Sequence, residues 1–131
     1  GWPLDLPRYT STGGEHPSFT PSDIDVPVEE GEEAQYLEKL EAGLQRLDEF
    51  PVPDLAVVLF GADPYEHDLL DSAQKLKLPL ETLAGRDSAI YHFLRRRSIP
   101  SAYLMAGGYG PRAWEVYYQF LQRILTDRIG N

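Results

Sequence analysis

The spacing of apolar positions changes character several times along the chain. From Glu32 to Phe50, Leu37, Leu40, Leu44 and Leu47 recur at helical spacing and predict a first helix, ended by Pro51 and Pro53. Leu55 to Phe60 is apolar throughout, the pattern of a strand covered on both faces by helices. Gly61 to Lys77 is a long polar loop with room for one helical turn. Pro79 to Arg97 predicts a second helix, with Pro79 near its start and Leu83, Ile90 and Leu94 on its buried side. Asp87 falls on the same stripe, so it needs a partner that the sequence does not name. Ala102 to Ala106 reads as a second core strand. Pro111 opens a third helix whose broad apolar face holds Trp114, Tyr117, Phe120, Leu121, Ile124 and Leu125. Residues 1–31, rich in Pro, Gly, Ser and Thr, read as an irregular arm with one short extended stretch from Ile24 to Val28. There is no internal repeat and no low-complexity tract.

Helix, strand, helix, strand, helix is the order of an α/β layer fold with parallel strands. A strand–helix–strand crossover is almost always right-handed, which points both strands the same way. Ligands of open α/β sheets bind outside the carboxyl ends of the strands. Two loops leave those ends: Gly61-Ala62-Asp63-Pro64-Tyr65-Glu66-His67-Asp68 and Ala106-Gly107-Gly108-Tyr109-Gly110. If the strands are neighbours, Asp68 and Tyr109 face one crevice.

Composition narrows the function. A length of 131 residues suits a single domain, and 42% hydrophobic with 25% charged residues suits a folded one. A net charge of -9 repels phosphate backbones, so nucleic acid and anionic membrane are poor partners. The absence of cysteine excludes disulfides, thiol catalysis and cysteine zinc knuckles, and fits a reducing cytoplasm, the expected location. No apolar run approaches the roughly 20 residues that span a bilayer, and no secretory signal opens the chain. A start at Gly1 in loop-like sequence without methionine fits either an engineered start or a piece of a longer protein.

Asp68 is a hard oxygen donor suited to zinc; on spacing alone, a solvated carboxylate or helix cap reads better. Asp63 could bind as well, or could hold the loop by accepting backbone N–H bonds. Gly107 and Gly108 let the backbone turn sharply and approach a substrate closely, although strand-to-helix turns often need glycine for their own sake. A tyrosine hydroxyl such as that of Tyr109 can donate to a developing oxyanion, or the ring can simply pack in a turn. His67 reads as an exposed loop histidine, and His92 as surface or partly buried. Arg95-Arg96-Arg97 complements a helix dipole. Tyr117 and Tyr118 read as core or interface packing. A flavodoxin-like binding domain is a weaker alternative, because neither strand runs through a phosphate-cradling glycine loop into a helix.

Together these residues resemble a known family. Gly61-Ala62-Asp63-Pro64 through Asp68, then Ala106-Gly107-Gly108-Tyr109-Gly110, resemble the carboxy-terminal part of the histone deacetylase superfamily, which includes acetylpolyamine amidohydrolases and acetoin-utilization proteins. Asp25-Val26-Pro27-Val28, Gly31 and the helix with Tyr36-Leu37 are similar to a segment that precedes these motifs, and Arg86-Asp87 also fits. The resemblance runs from about Ile24 to the third helix.

It implies a three-layer α/β/α arginase–deacetylase fold and zinc-dependent hydrolysis of acetyl-lysine-like or acetylpolyamine amides. Asp68 matches a zinc ligand and Tyr109 the tyrosine that stabilises the oxyanion. The family's adjacent histidine pair and its Asp-x-His segment are absent; the histidines are His16, His67 and His92. Asp68 is followed by Leu69-Leu70-Asp71, where many relatives carry a glycine. The chain alone is therefore expected to be inactive and not to hold zinc tightly. The alternative is a non-catalytic module that self-associates or binds a partner through an exposed sheet edge or apolar face.

Overall fold

The computed structural model describes residues 22–71 and 75–129. Most of the expected arm, with His16, lies outside them. Residues 24–28 join no strand. They lie instead along the first helix, where a Cβ on Gly43 would meet Val26 Cγ2 at 2.7 Å and Lys39 Nζ donates to the Pro27 carbonyl at 3.1 Å.

The leucine stripe forms helix α1, Tyr36–Arg46, with a 3-10 turn before it at Glu33–Gln35 and another after it at Leu47–Glu49. Phe50 is extended, as a residue before proline should be. Strand β1, Ala56–Phe60, pairs in parallel with β2, Ser101–Met105, from Ala56↔Ser101 to Phe60↔Met105. Helix α2, Leu80–Arg96, makes the crossover with Pro79 as its N-cap, and helix α3, Ala113–Ile129, follows β2. The result is a small α/β fold with a two-stranded parallel sheet.

Alternation along the strands decides what is buried. Phe60 packs against Tyr91 of α2 and Phe120 of α3, with Val58 and Tyr103 beside them. Phe93, Leu94 and Ile99 close over Ala56, Val58 and Leu44 of α1. All three helices therefore contribute to the core on one face of the sheet. The residues between, Leu55, Val57 and Leu59, are exposed, Leu59 by 70%, and so is Leu104 on β2. Two-faced coverage of β1 is thus not found: the described residues supply no element on the second side.

The third helix corrects the expected broad face in the same way. Val116 and Phe120 are buried, with Tyr117 and Ile124 packed against the core. Trp114, Tyr118, Leu121 and Leu125 form a separate exposed stripe, with Trp114 60% accessible. A helix this apolar carries two stripes, and only one meets the sheet and α2.

At the carboxyl end of α2, Ser98 takes a left-handed φ of 56° while Ile99 N–H donates to the Leu94 carbonyl at 3.0 Å. Arg97 does more than balance the helix dipole there. Its guanidinium lies 3.7 Å from the Phe93 ring centroid, and its Nε donates to Asp48 at 2.6 Å, tying α2 to the turn after α1. Among the described residues, no helix is long and apolar enough to cross a membrane.

Candidate functional site

Because β1 and β2 end level, the loops that follow them start side by side. Ala62 N–H donates to the Gly107 carbonyl at 2.5 Å. Asp63 lays its carboxylate across Gly107, where any Cβ would overlap the whole carboxyl group. Gly108 has φ +147°, and a Cβ there would stand 2.9 Å from that of Ala62. Both glycines are thus required by the chain itself: the groups that press on them are Asp63 and Ala62. Tyr117 OH donates to the Gly107 carbonyl at 2.7 Å, and burial pushes its phenol up.

Asp68 is only 6% exposed. Its Oδ1 accepts Leu70 N–H at 2.8 Å, and its Oδ2 accepts Tyr109 N–H at 2.7 Å. The two residues expected to share a crevice do meet. The contact runs through the main chain of Tyr109, whose side chain is 58% exposed at the rim. A carboxylate oxygen carries two lone pairs, so each oxygen keeps acceptor capacity beyond its N–H bond. Asp63 Oδ1 is buried without a hydrogen-bond partner among the described residues.

A second polar group flanks the tip. Tyr65 OH donates to Glu115 Oε2 at 2.7 Å, and Arg112 places Nε and Nη2 on the two Glu115 oxygens at 2.8 and 2.9 Å. Arg112 first, then Tyr65, holds the Glu115 carboxyl below its usual value, while burial and then Glu115 push the Tyr65 phenol up. His67 is exposed and meets the Tyr65 ring edge-on at 5.1 Å, and His92 is exposed on α2. Among the described residues, no three His, Asp or Glu side chains gather into a metal-holding group. Asp68 by itself fits one position of a zinc site, as a single carboxylate ligand.

Under the tip lies the partner that Asp87 needed. Arg86 Nε donates to Asp87 Oδ1 at 2.7 Å, and Arg86 Nη1 donates to the Gly61 carbonyl at 2.8 Å. Both residues are buried. Burial pushes the Asp87 carboxyl up against the pull of Arg86, and Asp87 holds the guanidinium above its ordinary value despite its desolvation. Sequence reasoning missed the roles of Arg86, Glu115 and Tyr117. The available signal for Arg86 was a charged residue beside Asp87 on the apolar side of a helix. Glu115 and Tyr117 gave none, since their partners lie on other segments. No family model and no solved structure matches the chain.

Proposed function

We propose that this chain is the carboxy-terminal part of a zinc-dependent, histone deacetylase-like amidohydrolase with a three-layer arginase–deacetylase sandwich. The observation that carries the reading is the 2.7 Å bond from Tyr109 N–H to Asp68 at the adjoining tips of two parallel strands. It puts a hard oxygen donor and an exposed phenol on one rim, where α/β sheets bind ligands. The bare apolar side of the sheet supports it too, since parallel sheets occur with both faces covered.

Zinc, when bound in such a site, polarises the amide carbonyl and activates water. Asp68 would supply one ligand, its carboxylate aimed by the Leu70 and Tyr109 N–H groups. The other ligands would come from residues outside this chain. The Tyr109 hydroxyl would donate to the oxyanion formed from an acetyl-lysine or acetylpolyamine amide. Asp63, seated on Gly107, would keep the Gly107-Gly108 turn in place beneath the substrate.

The test compares the 131-residue chain with one extended through the residues encoded upstream of Gly1. With zinc and an acetyl-lysine peptide, the chain alone gives no turnover. The extended protein does, and Tyr109→Phe lowers its rate on the order of a hundredfold. Turnover by the chain alone would overturn the expectation of inactivity, and an inert extended protein would overturn the family reading.

One observation favours a second reading, a non-catalytic module that self-associates: Leu55, Val57, Leu59 and Leu104 form an uncovered apolar face. Light scattering decides it. The module reading expects an oligomer that Leu59→Lys dissolves while the fold survives, and a monomer at high concentration would count against it.

A further inference from the structure

The geometry points to Arg86 as the positioning residue of the strand-tip site, acting through the peptide that joins Gly61 to Ala62. That peptide is gripped from both sides. Its carbonyl accepts Arg86 Nη1 at 2.8 Å from α2, and its N–H donates to the Gly107 carbonyl at 2.5 Å in the second loop. Gly107 in turn accepts Tyr117 OH from α3 at 2.7 Å. A row of polar groups therefore runs from α2 through both loops to α3: the Arg86 bond polarises the peptide whose N–H goes on to Gly107, and Ala62 and Tyr117 share the Gly107 oxygen.

Arg86 is suited to start the row. Burying a guanidinium costs several kcal/mol unless its donors are met; Nη2 has no hydrogen-bond partner among the described residues, so the offset falls to Nε and Nη1. Its Nε is met by Asp87, the next residue on the same helix, and this bond needs no tertiary contact to form. The bond from Nη1 to Gly61 leaves the helix, so it alone of these two transmits the position of α2 to the end of β1. Seven residues past Gly61, Asp68 reaches back to Tyr109, two residues past Gly107. With the Gly61–Ala62 peptide fixed, the two loops are pinned at their roots, and the Asp68 carboxylate is left in line with Tyr109 N–H. The Asp63 carboxylate lies against both Gly61 and Gly107 at the first of those crossings. Arg86 hydrogen-bonds to Asp87 and Gly61 and not to Asp68 or Tyr109, so its effect is indirect.

This placement stands on geometry; only its catalytic consequence, holding a metal ligand and an oxyanion donor at the right separation, rests on the hydrolase reading above. The test is amide hydrogen exchange by NMR on the full chain, comparing Ala62 and Tyr109 with Phe93 in the body of α2. In Arg86→Met, the Ala62 and Tyr109 amides should exchange about tenfold faster relative to Phe93. Arg86→Lys, which keeps a charge but not the fork, should show the same two sites affected to a smaller extent. Leu44→Ala, a core truncation against the Phe93, Leu94 and Ile99 cluster, which contains no member of the row, should not raise the ratio. Equal acceleration at all three amides in the Arg86 variants would reduce Arg86 to a general stabiliser and overturn the proposal, as would unchanged exchange at Ala62 and Tyr109. If Arg86→Met fails to fold, Arg86→Lys decides by the same ratio. None of these outcomes depends on whether the protein is a deacetylase.

Discussion

Asp68 Oδ2 accepts the main-chain N–H of Tyr109 at 2.7 Å across 41 residues of sequence. The same carboxylate accepts Leu70 N–H with its other oxygen. One buried side chain therefore shapes its own loop and fastens it to the next. In Asp68→Ala both N–H groups lose their acceptor. Hydrogen bonds to a charged group contribute about 1.5–3 kcal/mol each, and water entering the vacated site recovers part of that. We expect a net loss of about 2–3 kcal/mol, read as a lower urea midpoint at unchanged slope. Asp68→Asn, which keeps one acceptor, should lose about half as much.

Gly107 and Asp63 make a paired prediction. A methyl group on Gly107 would occupy the space of the Asp63 carboxylate. Gly107→Ala should cost about 2 kcal/mol, in the range of overpacking. In an Asp63→Ala background the same change should cost well under 1 kcal/mol. Urea titrations of the four proteins give the coupling directly. Additive costs would show that the glycine serves some other need.

Ser98 ends α2 with φ 56°, in a region that disfavours a residue with a Cβ. Ser98→Gly should therefore stabilise the protein by about 0.5–1 kcal/mol, less whatever Gly costs by loosening the unfolded chain. Thermal unfolding should show a rise of a few degrees for a chain of this size. Ser98→Val should move the other way, because a branched side chain is poorer still in that conformation.

The Glu115 cluster predicts a pH dependence. Arg112, then Tyr65, lowers the folded-state value of Glu115 below its ordinary 4.5. For a carboxyl depressed on folding, the stabilisation is present above the unfolded value and disappears as pH falls through the folded one. The wild type should exceed Glu115→Gln in stability near neutral pH, and the gap should close as the solution is acidified through and below the ordinary carboxyl range. Paired urea titrations from pH 7 to 3 would show it. The ion pair is exposed to solvent, so added salt should narrow the gap as well.

Periodicity located both strands, α2 and the start of α3 to within about two residues, because each is a run of one pattern bounded by Pro or Gly, but it overshot α1 by four residues at each end, where 3-10 turns take up most of the expected helix. It could not say how many sides of β1 are covered. Val57 and Leu59 look identical to Val58 and Phe60 in a continuous apolar run, and the difference lies in what stands opposite. For the same reason Trp114 and Leu121 fall on one apolar face with Phe120 in the sequence, and only the fold separates them. At the site, the rule that ligands gather at strand carboxyl ends was enough to pair Asp68 with Tyr109. The atom that makes the contact was not legible, since it depends on the loop torsions around Gly108. The link from Tyr65 to Glu115 spans 50 residues, from the loop after β1 to α3, which no local pattern records.

The flush pairing of Ala56 with Ser101 and Phe60 with Met105 limits how the protein can vary. One residue added to either strand would lift one loop by about 3.3 Å over its neighbour and turn the inward row of side chains outward. Ala62 would then miss Gly107, and Asp68 would overshoot Tyr109. Changes in length should be tolerated after Leu70, once its bond to Asp68 is made, and before Leu78, which bonds with Pro64 and Glu66 ahead of α2, and rejected within the two strands.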